Sequence, residues 1–217
     1  MQNLSTVQFA AIAILPLLFG ITLHEVAHGW VAKHLGDKTA LMMGRLTLNP
    51  IKHIDPLGTI IVPGLMMLAG GAIFGWAKPV PVTWQNLKNP KRDMALVALA
   101  GPMANLGMAF LWALIARVGV MLASTSQWAS IPMIYMGYIG IQLNLVLMVL
   151  NLLPLPPLDG GRVMTSLLPG PLAYRFSRIE PYGFFILIAL LMSGILWKLL
   201  GPPVALLVDL FSLVAGI

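Results

Sequence analysis

The sequence predicts an α-helical polytopic membrane protein with about five transmembrane helices, a re-entrant segment and a small β element at the membrane surface. Of its 217 residues, 59% are hydrophobic and only 9% are charged, whereas soluble domains carry about 25% charged residues. The mean hydropathy is +0.89, so most of the chain belongs in lipid. No polar stretch is long enough for a separate soluble domain, and we expect residues 1–217 to form a single domain.

Six apolar segments supply the candidate helices: residues 6–33, 57–75, 94–118, 131–153, 182–200 and 202–217. The chain has no Lys or Arg in its first 20 residues and no small-residue cleavage site before the polar motif that follows. The first segment is therefore a retained span rather than a signal peptide. The net charge of +6 comes from residues in short connections, which is typical of membrane-flanking charge and not of a nucleic-acid site.

The β element is predicted from two of these connections. Residues 40–48 include the strand-like run RLTL, and residues 78–82 read KPVPV. Proline disfavours a helical conformation in the residue before it, so KPVPV must be extended. We expect the two pieces to form a small sheet at the membrane surface.

The segment 57–75 is short and interrupted by proline and glycine, and the distribution of basic residues tests whether it crosses. If all six segments cross, Lys and Arg divide six to seven between the two sides. If 57–75 dips in and returns, eleven lie on one side, and only Arg117 and Lys198 lie on the other. That bias indicates a re-entrant segment and a cytoplasmic side. Re-entrant backbone must be buried in protein or line a wet cavity, so water should reach this region.

The motif HEVAH near the end of the first segment predicts a metal site. On a helix, His24 and His28 stand one turn apart on one face and can reach one cation, while Glu25 can act as a general base. Three ionisable groups in five residues of an apolar span are costly and call for a functional reason. The alternative is a hydrogen-bonded polar cluster between helices.

A catalytic zinc needs a third protein ligand and an open position for water. Asp159 is the best candidate, because it lies in NLLPLPPLDGGR, directly after an apolar segment and between prolines and glycines. Such broken backbone at membrane depth is expected only at a site. The other acids and histidines are interpreted as interfacial or loop charges (His34, Asp37, Asp93, Glu180), weak ligand candidates (His53, Asp55) or unassigned (Asp209).

Chain direction gives an independent constraint on this pairing. His24 and His28 lie about 27–33 Å along the first span, near its cytoplasmic end. Asp159 also follows the end of its span, so the ligands meet only if both spans run the same way. They do so only if 57–75 is re-entrant. The donor set favours zinc without excluding iron or cobalt.

Three motifs in this order resemble the site-2 protease family of intramembrane zinc metalloproteases: HEVAH, AGPMAN (residues 100–105) and NLLPLPPLDGG. The resemblance covers about residues 15–165, with a catalytic core at about 6–165 and C-terminal helices at about 182–217. The chain is similar to compact members without a PDZ or CBS module, and its GWAKPV (residues 75–80) resembles their loop after the re-entrant piece.

The resemblance implies one Zn²⁺ held by His24, His28 and Asp159, with Glu25 as catalytic base. It implies that Asn151 helps to hold the substrate or the oxyanion. The substrate would be the transmembrane helix of another protein, cleaved in a prokaryotic inner membrane with the active site toward the cytoplasm.

Three further residues have predicted structural roles, and two alternative functions stay open. Gly101 and Asn105 are interpreted as close helix-packing residues, and Asn144 as a second polar lining group. The rivals are a metal-ion transporter that uses the His/His/Asp cluster as a transit site, and a non-catalytic binding relative.

Overall fold

The computed structural model describes residues 5–68 and 75–217, and within them all regular structure is helical. The α-helices are α1 (Thr6–His34), α2 (Thr39–Met42), α3 (Val62–Leu68), α4 (Pro90–Met121), α5 (Gln127–Asn151), α6 (Asp159–Leu167), α7 (Gly170–Ser177), α8 (Glu180–Met192) and α9 (Ile195–Ala215). Short 3₁₀ turns lie at Pro50–His53 and Trp84–Asn86, and a π-helical turn at Pro56–Ile61 leads into α3. Among the described helices, α1, α4, α5 and α9 are long and apolar enough to cross a membrane, which confirms a helical membrane protein.

Helix α1 has well-defined ends. Ser5 accepts a hydrogen bond from the Gln8 amide, and the Gln8 side chain accepts one from the Ser5 amide, which forms a capping box. At the other end, Gly36 adopts a φ of 118°, a conformation that glycine tolerates best. The chain therefore leaves α1 sharply, two residues after His34.

Contacts between the long helices fix their directions. Along α1 and α4, His28 contacts Val97 and His24 contacts Asn105, so these helices are antiparallel. Gly119 lies against Met133 and Gly137 against Ala116, so α4 and α5 are antiparallel as well. One end of the bundle therefore gathers the C-termini of α1 and α5 and the N-terminus of α4. We call this end the site end.

The sequence misplaced the break between the last two helices. It was expected near residue 201, but the chain turns at Ser193–Gly194, where Gly194 has a φ of 72°. Helix α9 then continues through Pro202 and Pro203. Helix α8 has 13 residues, fewer than the roughly 20 that a span requires. A fifth transmembrane helix is not confirmed.

This boundary changes the direction of the C-terminal helix. Leu196 and Leu200 pack near Leu150 and Leu153 at the site end, whereas Gly216 lies against Arg117 at the opposite end. Helix α9 therefore runs away from the site end, and Lys198 moves to that end. Arg117 is then the single Lys or Arg among 13 in the sequence that lies at the opposite end.

The two ends of the segment 57–75 lie together. The Trp76 amide donates to the Gly58 carbonyl at 3.0 Å, and the Lys78 amide donates to the His53 carbonyl at 3.0 Å. Gly58 has no room for a side chain, because a Cβ would lie 2.3 Å from the Trp76 ring. The chain thus returns beside its point of entry, as expected for a re-entrant segment, although residues 69–74 of that prediction lie outside the described part.

The β element is not confirmed, since none of the described residues forms a strand. Residues 78–82 are extended, but Pro79 and Pro81 have no amide hydrogen to donate to a sheet. The amides of Lys78 and Val80 donate instead to the His53 carbonyl and the Glu25 carboxylate. We call residues 75–82 the connector strap.

Candidate metal centre

Two imidazoles from α1 form the base of the site. His24 and His28 are both buried, and their Nε2 atoms are 3.1 Å apart. The four-residue spacing on one helix brings them to the same face, as the sequence predicted.

Asp159 comes to the same point from a different part of the chain. Prolines at 154, 156 and 157 end the α5 region, and α6 begins at Asp159 itself. Its Oδ2 lies 3.2 Å from His24 Nε2 and 3.3 Å from His28 Nε2. Gly160 and Gly161 allow this approach, because a Cβ at either would lie within 2.4 Å of backbone atoms of residues 152–156.

These three donors fit a zinc ion. Two ligands about 2.0–2.1 Å from a tetrahedral zinc are themselves about 3.3 Å apart, close to the three separations observed. Asp159 Oδ2 is buried and has no hydrogen-bond partner within the described residues, which leaves it available to a cation. In the described part, this is the one group of three such side chains placed to share a metal.

The Nδ1 atoms of both imidazoles also have hydrogen-bond partners. His28 Nδ1 lies 2.7 Å from the Val97 carbonyl oxygen, and His24 Nδ1 lies 2.6 Å from Asn105 Oδ1. Hydrogen bonds of this kind orient metal-binding imidazoles. Asn105 thus contacts a candidate ligand directly, in addition to the helix packing that the sequence predicts for it.

Gly101 is a second residue whose role differs from simple helix packing. A Cβ at this position would lie 2.5 Å from His28 Nε2 and 2.6 Å from His24 Cε1. A side chain would therefore enter the space that the imidazoles and a metal occupy. The AGPMAN motif carried this signal, since both Gly101 and Asn105 belong to it, but the sequence does not reveal which face of α4 turns toward α1.

Glu25 is half-buried, and its carboxylate is held by the connector strap. The Val80 amide donates to Glu25 Oε2 at 2.7 Å. Gly29 lets the strap approach α1, because a Cβ there would lie 2.8 Å from Val80 Cγ1. The strap itself is held by buried Arg45, whose Nη2 donates to the carbonyls of Lys78 at 2.8 Å and Pro79 at 3.4 Å.

Asp37 connects the chain after α1 to the chain before α4. It was expected at an interface, but it is fully buried and accepts hydrogen bonds from Thr83 N at 2.7 Å, Thr39 N at 3.0 Å and Asn86 Nδ2 at 3.1 Å. Burial alone would raise the pKa of the Asp37 carboxyl, but the hydrogen bonds from Thr39, Thr83 and Asn86 outweigh this and lower it.

Asn151 has no hydrogen bond to the three donor residues within the described structure. Its Nδ2 donates to the Leu147 carbonyl of its own helix at 2.9 Å. Asn144, two turns earlier on roughly the same face of α5, instead accepts a hydrogen bond from Asn105.

The remaining candidates lie apart from the centre. His34 Nδ1 contacts the Trp30 carbonyl, and His53 Nε2 contacts the Thr47 carbonyl. Asp55 caps Gly58, and Asp93 accepts from the Asn89 amide. Asp209 is exposed on α9.

Comparisons with known proteins bear on this site. The profile of peptidase family M50 matches residues 12–124 and 117–194. YwhC of Bacillus subtilis, which is named as a zinc metalloprotease, is 42% identical over 208 residues, with 92% of this chain and 90% of that protein covered. Rip2 of Mycolicibacterium smegmatis, also named as a zinc metalloprotease, is 32% identical over 193 residues, with coverage of 88% and 71%. No solved structure matches the chain.

Proposed function

The chain belongs to peptidase family M50, and from this premise we propose that it is a zinc endopeptidase that cuts peptide bonds within or near the transmembrane helix of a membrane-protein substrate. The observation that carries the proposal is the cluster of His24, His28 and Asp159 beside Glu25, at one end of a bundle of membrane-length helices. Family membership makes the chain a zinc metalloprotease, and the apolar setting of the cluster supports a substrate in the membrane.

His24, His28 and Asp159 would hold the ion and leave one position open. When bound, zinc supplies Lewis-acid polarisation of a carbonyl and lowers the pKa of water to about 7. Two neutral imidazoles and one carboxylate leave a net positive charge on such a site, which favours a developing oxyanion.

Glu25 would act as general base and then as general acid. It would take the proton from the attacking water and deliver it to the leaving amine of the cleaved bond. Its Oε2 accepts from Val80, which leaves Oε1 as the atom for this transfer. Asn151 would donate to the oxyanion or the substrate after its amide leaves the Leu147 carbonyl.

We place the site at the cytoplasmic face of a bacterial membrane. Every Lys and Arg except Arg117 lies toward the site end, and cytoplasmic loops carry an excess of basic residues. The re-entrant segment 57–75 would admit the water that hydrolysis consumes.

A transmembrane helix must unwind before its backbone can be cut, because its peptide groups are bonded to one another. Residues 78–82, or the part of residues 40–48 that follows α2 (Thr39–Met42), would hold the unwound substrate by strand addition. The extended backbone at 78–82 supports this through its carbonyl groups, because Pro79 and Pro81 have no amide hydrogen to donate. Proline substitutions along 45–48 that leave cleavage intact would contradict a role for that piece.

Glu25→Gln tests the reaction most directly. The variant should keep its zinc and lose cleavage of a candidate membrane substrate, because glutamine cannot take the proton. Asn151→Ala should also keep zinc, and its cleavage rate should fall about 100-fold if the amide serves the oxyanion. Zinc content and cleavage are measured on the same purified samples, with exposed Glu180→Gln as the matched control. Full activity in Glu25→Gln, or loss of zinc from it, would count against the mechanism.

A further inference from the structure

We propose that Asn105 and Asn144 are positioning residues that hold His24 with its proton on Nδ1 and its Nε2 turned toward the metal. The inference rests on the zinc site of the proposed function. It concerns two buried amides on α4 and α5, neither of which is one of the three candidate ligands.

The hydrogen-bond chain begins at a backbone carbonyl of α5. The Asn144 side chain lies 2.9 Å from the Gly140 carbonyl oxygen. A carbonyl can only accept a hydrogen bond, so the Asn144 atom that faces it must be the nitrogen. The Asn144 oxygen is therefore turned toward α4.

Asn105 connects Asn144 to His24 by hydrogen bonds. Its Nδ2 donates to the Asn144 oxygen at 3.1 Å and to the Gly20 carbonyl at 3.1 Å. Both amide hydrogens are thus in use, and both partners are acceptors. The Asn105 oxygen is left to face His24 Nδ1 at 2.6 Å.

The state of the His24 ring follows from this arrangement. An amide oxygen can only accept, so His24 Nδ1 must carry a proton and donate it. In the neutral ring, Nε2 is then the nitrogen available to a metal, and it lies beside the candidate ligand oxygen of Asp159. Two backbone carbonyls, separated by about 120 residues in the sequence, thereby determine which nitrogen of His24 faces the ion.

Burial makes the arrangement costly to reverse. Asn105 and Asn144 are both 0% exposed, so water does not compete for their hydrogen bonds. Rotating either amide by half a turn would bring acceptors together and leave donors unpaired, and each unsatisfied buried group costs about 1–3 kcal/mol. Gly20 makes the close approach possible, because a Cβ there would lie 2.8 Å from the Asn144 oxygen.

The two candidate imidazole ligands differ in this respect. His28 donates to the Val97 backbone carbonyl, which side-chain substitution does not remove. His24 depends on two side chains, so its orientation can be altered without touching the ligand. Asn144 does not contact His24 and acts on it through Asn105.

The experiment uses the full chain in bilayer nanodiscs, labelled with ¹⁵N-histidine. Ring-nitrogen NMR of the metal-free protein reports the proton position on His24, and competition with a chelator reports zinc affinity. The variants are Asn105→Leu, Asn105→Asp and Asn144→Leu. Gln142→Leu is the control, because it removes a hydrogen bond between Gln142 and Tyr138, both on α5, that does not involve Asn105, Asn144 or His24.

We expect His24 to carry its proton on Nδ1 in the wild type. Asn105→Leu should mix the two ring forms and weaken zinc binding about 10–100-fold, the range for loss of an outer-shell partner. Asn105→Asp keeps an acceptor for His24 Nδ1 but loses both donors to Gly20 and Asn144, so it should keep the proton on Nδ1 and have a zinc affinity between those of Asn105→Leu and the wild type. Asn144→Leu should give a smaller loss, and Gln142→Leu should behave as the wild type.

Several results would overturn the proposal. One is a wild-type His24 whose neutral ring carries its proton on Nε2, a measurement that needs no variant and so remains decisive if the leucine variants fail to fold. Another is an Asn105→Leu protein with unchanged ring form and zinc affinity. A wild type that holds zinc but cleaves no membrane substrate would contradict the proposed function and leave this inference intact. Absence of zinc binding in the wild type would contradict both.

Discussion

The two sides of the candidate metal centre are built in different ways. On one side, which we call the bundle side, helices α4 and α5 and the start of α6 supply buried groups that hold His24, His28 and Asp159 in place. On the other side, Glu25 is held by the Val80 amide of the connector strap, which in turn is held by Arg45. From this difference we expect metal affinity to depend on the bundle side and proton transfer to depend on the strap.

Gly101→Ala should have the largest effect, and it acts on the bundle side. The added Cβ would lie 2.5 Å from His28 Nε2, so the imidazoles must shift, and zinc binding and cleavage should be lost together. Gly107→Ala on the same helix is the matched control, since apart from its own helical turn no atom lies within 4 Å of its Cβ position. Metal analysis and a cleavage assay of both variants decide the matter. A Gly101→Ala enzyme with full zinc content and activity would show that metal binding does not depend on the bundle side.

Arg45→Met should have an intermediate effect, confined to the strap side. The variant releases the carbonyls of Lys78 and Pro79, each held by a charged hydrogen bond worth about 1.5–3 kcal/mol. Cleavage should then fall about 10-fold while zinc content stays unchanged. Exposed Lys52→Met removes an equal charge from the same region and should leave both properties at wild-type values. If Arg45→Met lost zinc as well, the two sides would not be separable.

Asp37→Asn should have the smallest effect on the reaction, because Asp37 acts on the strap only through the chain around it. The amide of the substituted asparagine cannot accept all the hydrogen bonds of the carboxylate. The free energy of unfolding should therefore fall by about 2 kcal/mol at neutral pH. The pKa of Asp37 is lowered in the folded protein, so its contribution is present above about pH 4, the ordinary pKa of aspartate, and is lost as the pH falls further.

The measurement for Asp37 is therefore a pair of denaturation series. Wild type and Asp37→Asn are compared from pH 7 downward, and the gap between them should close below pH 4. A gap that stays constant with pH would show that the carboxylate charge contributes nothing.

The bundle side was the more predictable from sequence. The four-residue spacing of His24 and His28 fixes their common face, and the prolines and glycines around Asp159 mark broken backbone at the end of a span. The part played by Asn105 was not predictable, because it depends on how α4 is rotated against a helix 81 residues earlier in the chain. Helical period alone does not give that rotation.

The strap side was harder to predict from the sequence, for a related reason. The sequence predicted extended backbone at 78–82, but extended residues can pair with a strand, a side chain or a substrate. The contact between Val80 and Glu25 spans 55 residues, and no local pattern specifies it. The end of α8 was not predictable because the run Gly201-Pro202-Pro203 is a stronger helix-breaking signal in sequence than Gly194, whereas the fold places the turn at Gly194 and continues α9 through both prolines.

The direction of α9 has a practical consequence for handling the protein. Because this helix runs away from the site end, anything fused after residue 217 would emerge on the face opposite the candidate metal centre. With the cytoplasmic site that we propose, a fluorescent reporter there would have to fold in the periplasm or outside the cell. An affinity tag at that position would leave the face that receives substrate unobstructed.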